Sequence, residues 1–200
     1  MELLKKSSED EKRRTPPGQR LTRGWPVLHA EPVPKFDPEV WTFSVAGEVE
    51  NPMIWSWDEF RALPSVTLDS DIHCVTGWSK LDNTWEGVHY RTIAEIVQPK
   101  PTATHVVSRA PSGYTANLPI EAMDDDDVLF AWSHDGEPLE PKHGGPLRLV
   151  VPQRYFWKST KWVIALEFTP KDRRGFWEVR GYHNDAHPFR EERYSWQEGR

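Results

Sequence analysis

The sequence predicts a mixed α+β domain, mainly β, and three observations lead there. Twelve glycines and 18 prolines are scattered through 200 residues, which interrupts long helices and favours short strands joined by turns. Helix-start signals are few, and a proline soon stops each of them. The second half is a series of short runs rich in β-branched and aromatic residues, the composition of strands. The length suits one sizeable domain with its own core. Only 37% of residues are hydrophobic, but 11 of them are tryptophans, each burying a large area.

Residues 1–23 mix Lys5, Lys6, Arg13 and Arg14 with acidic residues and end beyond the Pro16–Pro17 pair. They are expected to form a flexible, charged N-terminal segment ahead of a domain covering residues 24–200. The alternation Trp41-Thr42-Phe43-Ser44-Val45 predicts a half-buried strand. Ser56 and Glu59 form a capping box that opens a short helix to about Leu63, before Pro64. Residues 66–74 read as a strand ending in the only cysteine, Cys74. Thr92 and Glu95 suggest a second capping box and a short helix through Val97, ended by Pro99. Residues 105–108, 128–132, 147–151 and 161–169 read as strands, and Asp135-Gly136 as a tight turn. From Arg173 onward the tail holds Phe176, Trp177, Tyr182, Phe189 and Trp196. Those residues are too apolar to hang free, so the tail is expected to lie across the domain surface.

A net charge of −6 argues against nucleic acid or an anionic membrane as partner. No apolar run is long enough to span a bilayer, and residues 1–23 lack the apolar stretch of a secretory signal. One cysteine cannot close an intramolecular disulfide, which fits a reducing compartment, and the protein is expected to be cytoplasmic. The histidines show no zinc spacing, and no glycine-rich nucleotide loop is present. The acidic run at residues 124–127 reads as an exposed turn.

Three segments could carry chemistry. Cys74 opens the loop Cys74-Val75-Thr76-Gly77-Trp78-Ser79 at a strand end, where a side chain can face a pocket. A lone cysteine is more often a buried structural thiol, yet His73 beside it and a basic segment further on favour a thiolate, the ligand a soft metal prefers. The segment His143-Gly144-Gly145-Pro146-Leu147-Arg148 is either a turn entering a strand or an anion site, since Arg presents a fork of donors. Lys158-Ser159-Thr160-Lys161 offers hydroxyls, backbone N–H groups and ammonium groups as a second anion cradle.

These segments resemble the oxidoreductase molybdopterin-binding domain of sulfite oxidases, plant-type nitrate reductases and bacterial methionine-sulfoxide-reducing molybdoenzymes, from about Trp25 to Tyr182. "HCVTGWS" resembles the family's strand-end cysteine that ligates molybdenum. "HGGPLRLVVP" is similar to its pterin-binding His and Arg stretch, and "KSTKW" to the next cofactor segment. Arg148 and Lys161 stand at the family's separation. The resemblance implies molybdenum–molybdopterin as cofactor and Cys74 as the protein's metal ligand. It implies cofactor binding by His143, Arg148, Ser159, Thr160 and Lys161, by Val27, Leu28 and His29 through backbone, and by Ser108. "FWEVRGY" resembles the segment that brings a tyrosine to the substrate pocket, which makes Tyr182 catalytic beside Cys74. Two substrate-binding arginines of sulfite oxidases correspond to Leu28 and Ser79 here, so a neutral sulfoxide or N-oxide suits the pocket better than sulfite, with Trp78 and Trp85 beside it. The expected activity is two-electron oxygen-atom transfer on a small molecule, with electrons exchanged with a separate electron-transfer protein, as in the small bacterial members. Two other readings stay open: a cofactor-free binding module of the same fold, or a thiol enzyme in which Cys74 uses His73 or His143 as base.

Overall fold

The computed structural model describes residues 8–199, and two sheets stack around its main core. One sheet runs β3 (Met53–Ser56), β2 (Thr42–Gly47), β11 (Ala165–Thr169), β6 (His105–Arg109), β7 (Thr115–Pro119). The other is built on β5 (Trp78–His89). That strand pairs with β4 (Val66–Cys74), β8 (Leu129–His134) and the short parallel β1 (Arg20–Leu21). β10 (Arg148–Val150) and β9 (Glu137–Pro138) complete it against β8. Short helices and many strands confirm the mainly β α+β reading.

Strand β8 shows why the site lies where it does. Phe130 and Trp132 enter the core between the sheets, with Phe43, Val45 and Leu149. Leu129 and Ala131 point the other way, into a second cluster with Ile72, Trp85, Val150 and Phe156. A strand buried on both faces has no polar alternation, which is why this run reads as continuously apolar. The second cluster lies on the outer face of this sheet, and half-buried Trp25 and Cys74 pack against it. The molecule therefore has apolar support on the face that carries its sulfur.

The Ser56 capping box forms as expected at the start of α2 (Trp57–Arg61), which follows α1 (Glu9–Arg14) in the chain. The second capping box does not form. Strand β5 passes directly into α3 (Tyr90–Val97), His89 is its N-cap through Nδ1 accepting from the Arg91 N–H, and Thr92 lies inside the first turn. The last helix is α4 (Ile120–Met123). Asp135 and Gly136 both take positive φ, 52° and 82°, which makes the two-residue hairpin between β8 and β9. The final strand begins at Ala165, later than expected. Residues 161–164 instead form a loop in which Trp162 holds a φ of 51°, an uncommon conformation for a bulky side chain.

In place of a free lead-in, residues 8–23 dock on the domain. Arg14 donates from Nε and Nη2 to Asp71 and from Nη2 to Asp82, and Arg20 and Leu21 add a strand beside Trp78 and Ser79. The composition was polar enough for disorder, but these partners lie far along the chain, where local sequence does not reveal them. Lys5 and Lys6 lie outside the described residues. The tail does lie across the surface, in three 3₁₀ turns, with a bridge between Tyr182 and Tyr194. In the acidic run, Asp124 and Asp126 are held by Arg91.

Candidate active site

A cavity of about 340 Å³ opens on the outer face of the β5 sheet. Its walls come from the extended segment 25–31, the cysteine loop, the start of β10, residues 156–162 and the tail at Trp177 and Tyr182. Eight of the twenty lining residues are Trp, Tyr or Phe.

Cys74 reaches the cavity because it ends β4 on the same face as Ile72, while His73 projects to the opposite face. His73 Nδ1 is 2.8 Å from Ser79 Oγ, and burial pushes its pKa down to about 4, so it is neutral and turned away from the thiol. His73 therefore neither favours a thiolate nor serves as its base. Ser79 is fully buried in that pair and does not face the cavity. The Cys74 sulfur is half-buried, 3.1 Å from Thr76 Oγ1. Its loop is held from two distant parts of the chain: Gln19 Nε2 donates to the Cys74 carbonyl at 3.1 Å, and Arg193 Nη1 to the Val75 carbonyl at 2.6 Å.

The two basic segments meet directly. Gly144 has a φ of 111° and lies so close to Lys161 that a Cβ there would be 3.1 Å from its side chain. Lys161 Nζ donates to the Lys142 carbonyl, and the Trp162 N–H to that of Gly144. Arg148 is 1% exposed and donates to the His143 and Ser159 carbonyls at 2.6 and 3.0 Å, with its guanidinium 3.8 Å from the Phe156 ring centre. Among the described residues its Nε has no hydrogen-bond partner and no carboxylate pairs with it. Burial pushes Arg148 down to about 9, and burial together with Arg148 pushes Lys161 down to about 7. Two crowded, dehydrated cations without a counter-ion form a site that an anion stabilises.

Of the residues expected at a cofactor and substrate site, Leu28, His29, Cys74, Arg148, Ser159, Lys161 and Tyr182 line this one cavity. Four others do not. Val27 is exposed and is not part of the lining. Ser108 and Thr160 are buried behind the wall, bonded to each other at 2.6 Å. His143 is stacked flat on Trp25, ring centres 4.0 Å apart, which puts the indole beside it, and burial holds its pKa near 4. Trp85 is fully buried under Trp25 rather than lining the pocket. Sequence reasoning missed Trp25, Glu31, Tyr114, Trp157 and Trp177. Trp177 lies inside the quoted FWEVRGY, Trp157 directly precedes KSTKW and Trp25 opens the resembling stretch, so these were within reach; Glu31 and Tyr114 carry no local signal. The Tyr182 hydroxyl makes no hydrogen bond among the described residues, which leaves it free to donate into the cavity.

This donor set fits a pterin-held metal. Among the described residues no three of His, Cys, Asp and Glu gather as a metal cluster, so a metal on Cys74 must take its other ligands from a cofactor. The unpaired Arg148 and Lys161 suit that cofactor's phosphate, and the aromatic walls its flat ring system.

A family model for the oxidoreductase molybdopterin-binding domain matches residues 30–177. The chain is 44% identical over 193 residues to the "Uncharacterized oxidoreductase YuiH" of Bacillus subtilis, covering 96% of this chain and 98% of that one. It is 28% identical over 169 residues to the "Putative protein-methionine-sulfoxide reductase subunit YedZ1" of Azospira oryzae, and 26% over 166 to the "Protein-methionine-sulfoxide reductase catalytic subunit MsrP" of Campylobacter jejuni. The matches cover 83% and 72% of this chain, but only 64% and 54% of those two relatives. Among solved structures, the sulfane dehydrogenase SoxCD of Paracoccus pantotrophus shares the fold, with a TM-score of 0.65 at 20% identity over 74% of this chain and 42% of that one. With three quarters of its length under the family model and its sulfur, cations and aromatic walls around one cavity, the chain belongs to the oxidoreductase molybdopterin-binding domain family and is a sulfite oxidase-like oxidoreductase.

Proposed function

We propose that this protein reduces a small sulfoxide or related oxo compound by two-electron oxygen-atom transfer, with molybdenum–molybdopterin as cofactor and Cys74 as the metal's protein ligand. The observation that carries the reading is the convergence on one cavity of the Cys74 sulfur, the unpaired cations Arg148 and Lys161, and Tyr182. A pterin-bound molybdenum supplies the two-electron chemistry when present. The chain's own residues bind and orient. Arg148 and Lys161 hold phosphate charge, Ser159 and His29 border it, and Trp25 and Trp162 bound the flat part of the cofactor. Tyr182 donates a hydrogen bond to the substrate oxygen, where negative charge gathers as the bond to sulfur breaks. The sulfoxide takes up two electrons and two protons and leaves as a thioether and water. The electrons come from a separate electron-transfer protein.

A neutral substrate is favoured over sulfite because Leu28 lines the cavity where sulfite oxidases place an arginine, and Ser79 faces away from it. A doubly charged oxyanion buried here without those cations is disfavoured. The relatives named as protein-methionine-sulfoxide reductases support the same direction. The test is expression in a host that makes the cofactor. Stoichiometric molybdenum and pterin, with sulfoxide-dependent oxidation of a reduced dye, are expected. A metal-free protein, or a loaded one that oxidises sulfite and ignores sulfoxides, overturns the reading.

A further inference from the structure

One carboxylate lines the cavity, that of Glu31. Its one hydrogen bond among the described residues is accepted from the Ser112 hydroxyl, and no Lys, Arg or His forms an ion pair with it. Burial raises its pKa with no cation opposing the rise. Around the same space stand Tyr114, Trp157, Trp177 and Tyr182. Tyr182 lies 5.2 Å from Trp157 and 5.1 Å from Trp177, ring centre to ring centre. Two of these rings have their polar ends committed elsewhere. The Tyr114 hydroxyl donates to the Trp157 carbonyl at 2.6 Å, and Trp157 Nε1 to Glu178 at 2.8 Å. What they offer a ligand is π surface.

An aromatic wall beside an unpaired carboxylate is the chemistry that holds an alkylammonium group, through ring quadrupoles and a counter-charge. Neither cation of the cavity is paired with Glu31 among the described residues: Arg148 sits against Phe156 and Trp25, and Lys161 against Trp162. We propose that Glu31 sets the substrate class, an oxo compound that carries an alkylammonium group, with the cation resting on the Trp157, Trp177 and Tyr182 wall and Glu31 as its counter-charge. The inference rests on the oxygen-transfer reading above, in which Arg148 and Lys161 are neutralised by the cofactor's phosphate.

The experiment compares choline with 3,3-dimethylbutanol, which has the same shape without the charge, titrated against tryptophan fluorescence of the purified protein. Choline is expected to bind about threefold tighter, on the scale of a solvent-accessible cation–π contact. Glu31→Gln keeps an acceptor for Ser112 and removes the charge, so the preference should collapse. Ser112→Ala removes the hydrogen bond and keeps the charge, so it should persist. Equal binding of the two ligands, or an unchanged preference in Glu31→Gln, overturns the proposal. A protein that loads molybdenum and reduces sulfoxides with no regard to their charge refutes the Glu31 assignment and leaves the oxygen-transfer reading standing. A protein that never loads molybdenum refutes that reading, and the choline titration then still decides whether the cavity takes a cation.

Discussion

The Lys158 ammonium lies 2.7 Å from the Glu178 carboxylate, and neither side chain reaches solvent. Lys158 also donates to the Asn117 backbone and side-chain oxygens, at 2.8 and 3.0 Å. Lys158 precedes Ser159 and Glu178 follows Trp177, so the pair fastens the loop beneath the cations to the tail that brings Trp177 and Tyr182.

Removing one member strands the other as a buried charge. Lys158→Met or Glu178→Leu alone should cost about 3–5 kcal/mol of unfolding free energy, and the double substitution clearly less than the sum. Urea denaturation of the three variants checks this. Additive losses would show that the two groups do not act as a pair.

Lys161 makes stability and anion binding depend on pH. Its folded-state pKa of about 7 lies below the 10.5 of an unperturbed lysine. Between those values the unfolded chain carries a proton that the folded chain lacks, so this group makes stability rise with pH from about 7 to 10.5. Lys161→Met should flatten that part of the profile. Affinity of the cofactor-free protein for sulfate, whose own charge is constant over this range, should fall as pH rises above 7, because the binding form of Lys161 is the protonated one. Isothermal titration at pH 6 and pH 8 measures it, and equal affinities would contradict the assignment.

Cys74→Ser should leave the fold intact, since the side chain is half-buried and makes one hydrogen bond of its own. A melting temperature within a few degrees of the parent is expected. In the molybdenum-loaded protein one sulfur scatterer should disappear from the X-ray absorption spectrum. A full sulfur count in the variant would rule out Cys74 as the ligand.

Arg193→Ala frees the Val75 carbonyl and should loosen the cysteine loop. In the cofactor-free protein, alkylation of Cys74 by iodoacetamide should speed up severalfold. Gln19→Ala should act in the same direction through the Cys74 carbonyl. No change in either variant would mean the loop holds its shape unaided.

Much of this was legible in the sequence where local chemistry dominates. Ser56 and Glu59 cap their helix because both partners lie within one turn, and Asp135-Gly136 turns because both residues tolerate positive φ. Cys74, Arg148 and Lys161 were found through motif spacing and do share one cavity. What was hidden depends on distant partners. Thr92 lost the capping role to His89 because strand β5 extends to the helix. Residues 8–23 dock through Asp71 and Asp82, which no local pattern announces. His143 stacks on Trp25 and lies off the lining of the cavity, and Glu31 has no motif at all.

The guanidinium that steadies the cysteine loop comes from a residue 118 positions further along the chain. During synthesis, strand β4 and its sulfur leave the ribosome long before their brace exists. The cysteine loop gains that brace only after the tail has been translated and laid down. A nascent chain arrested before Arg193 should therefore expose Cys74 to alkylation faster than the finished protein does.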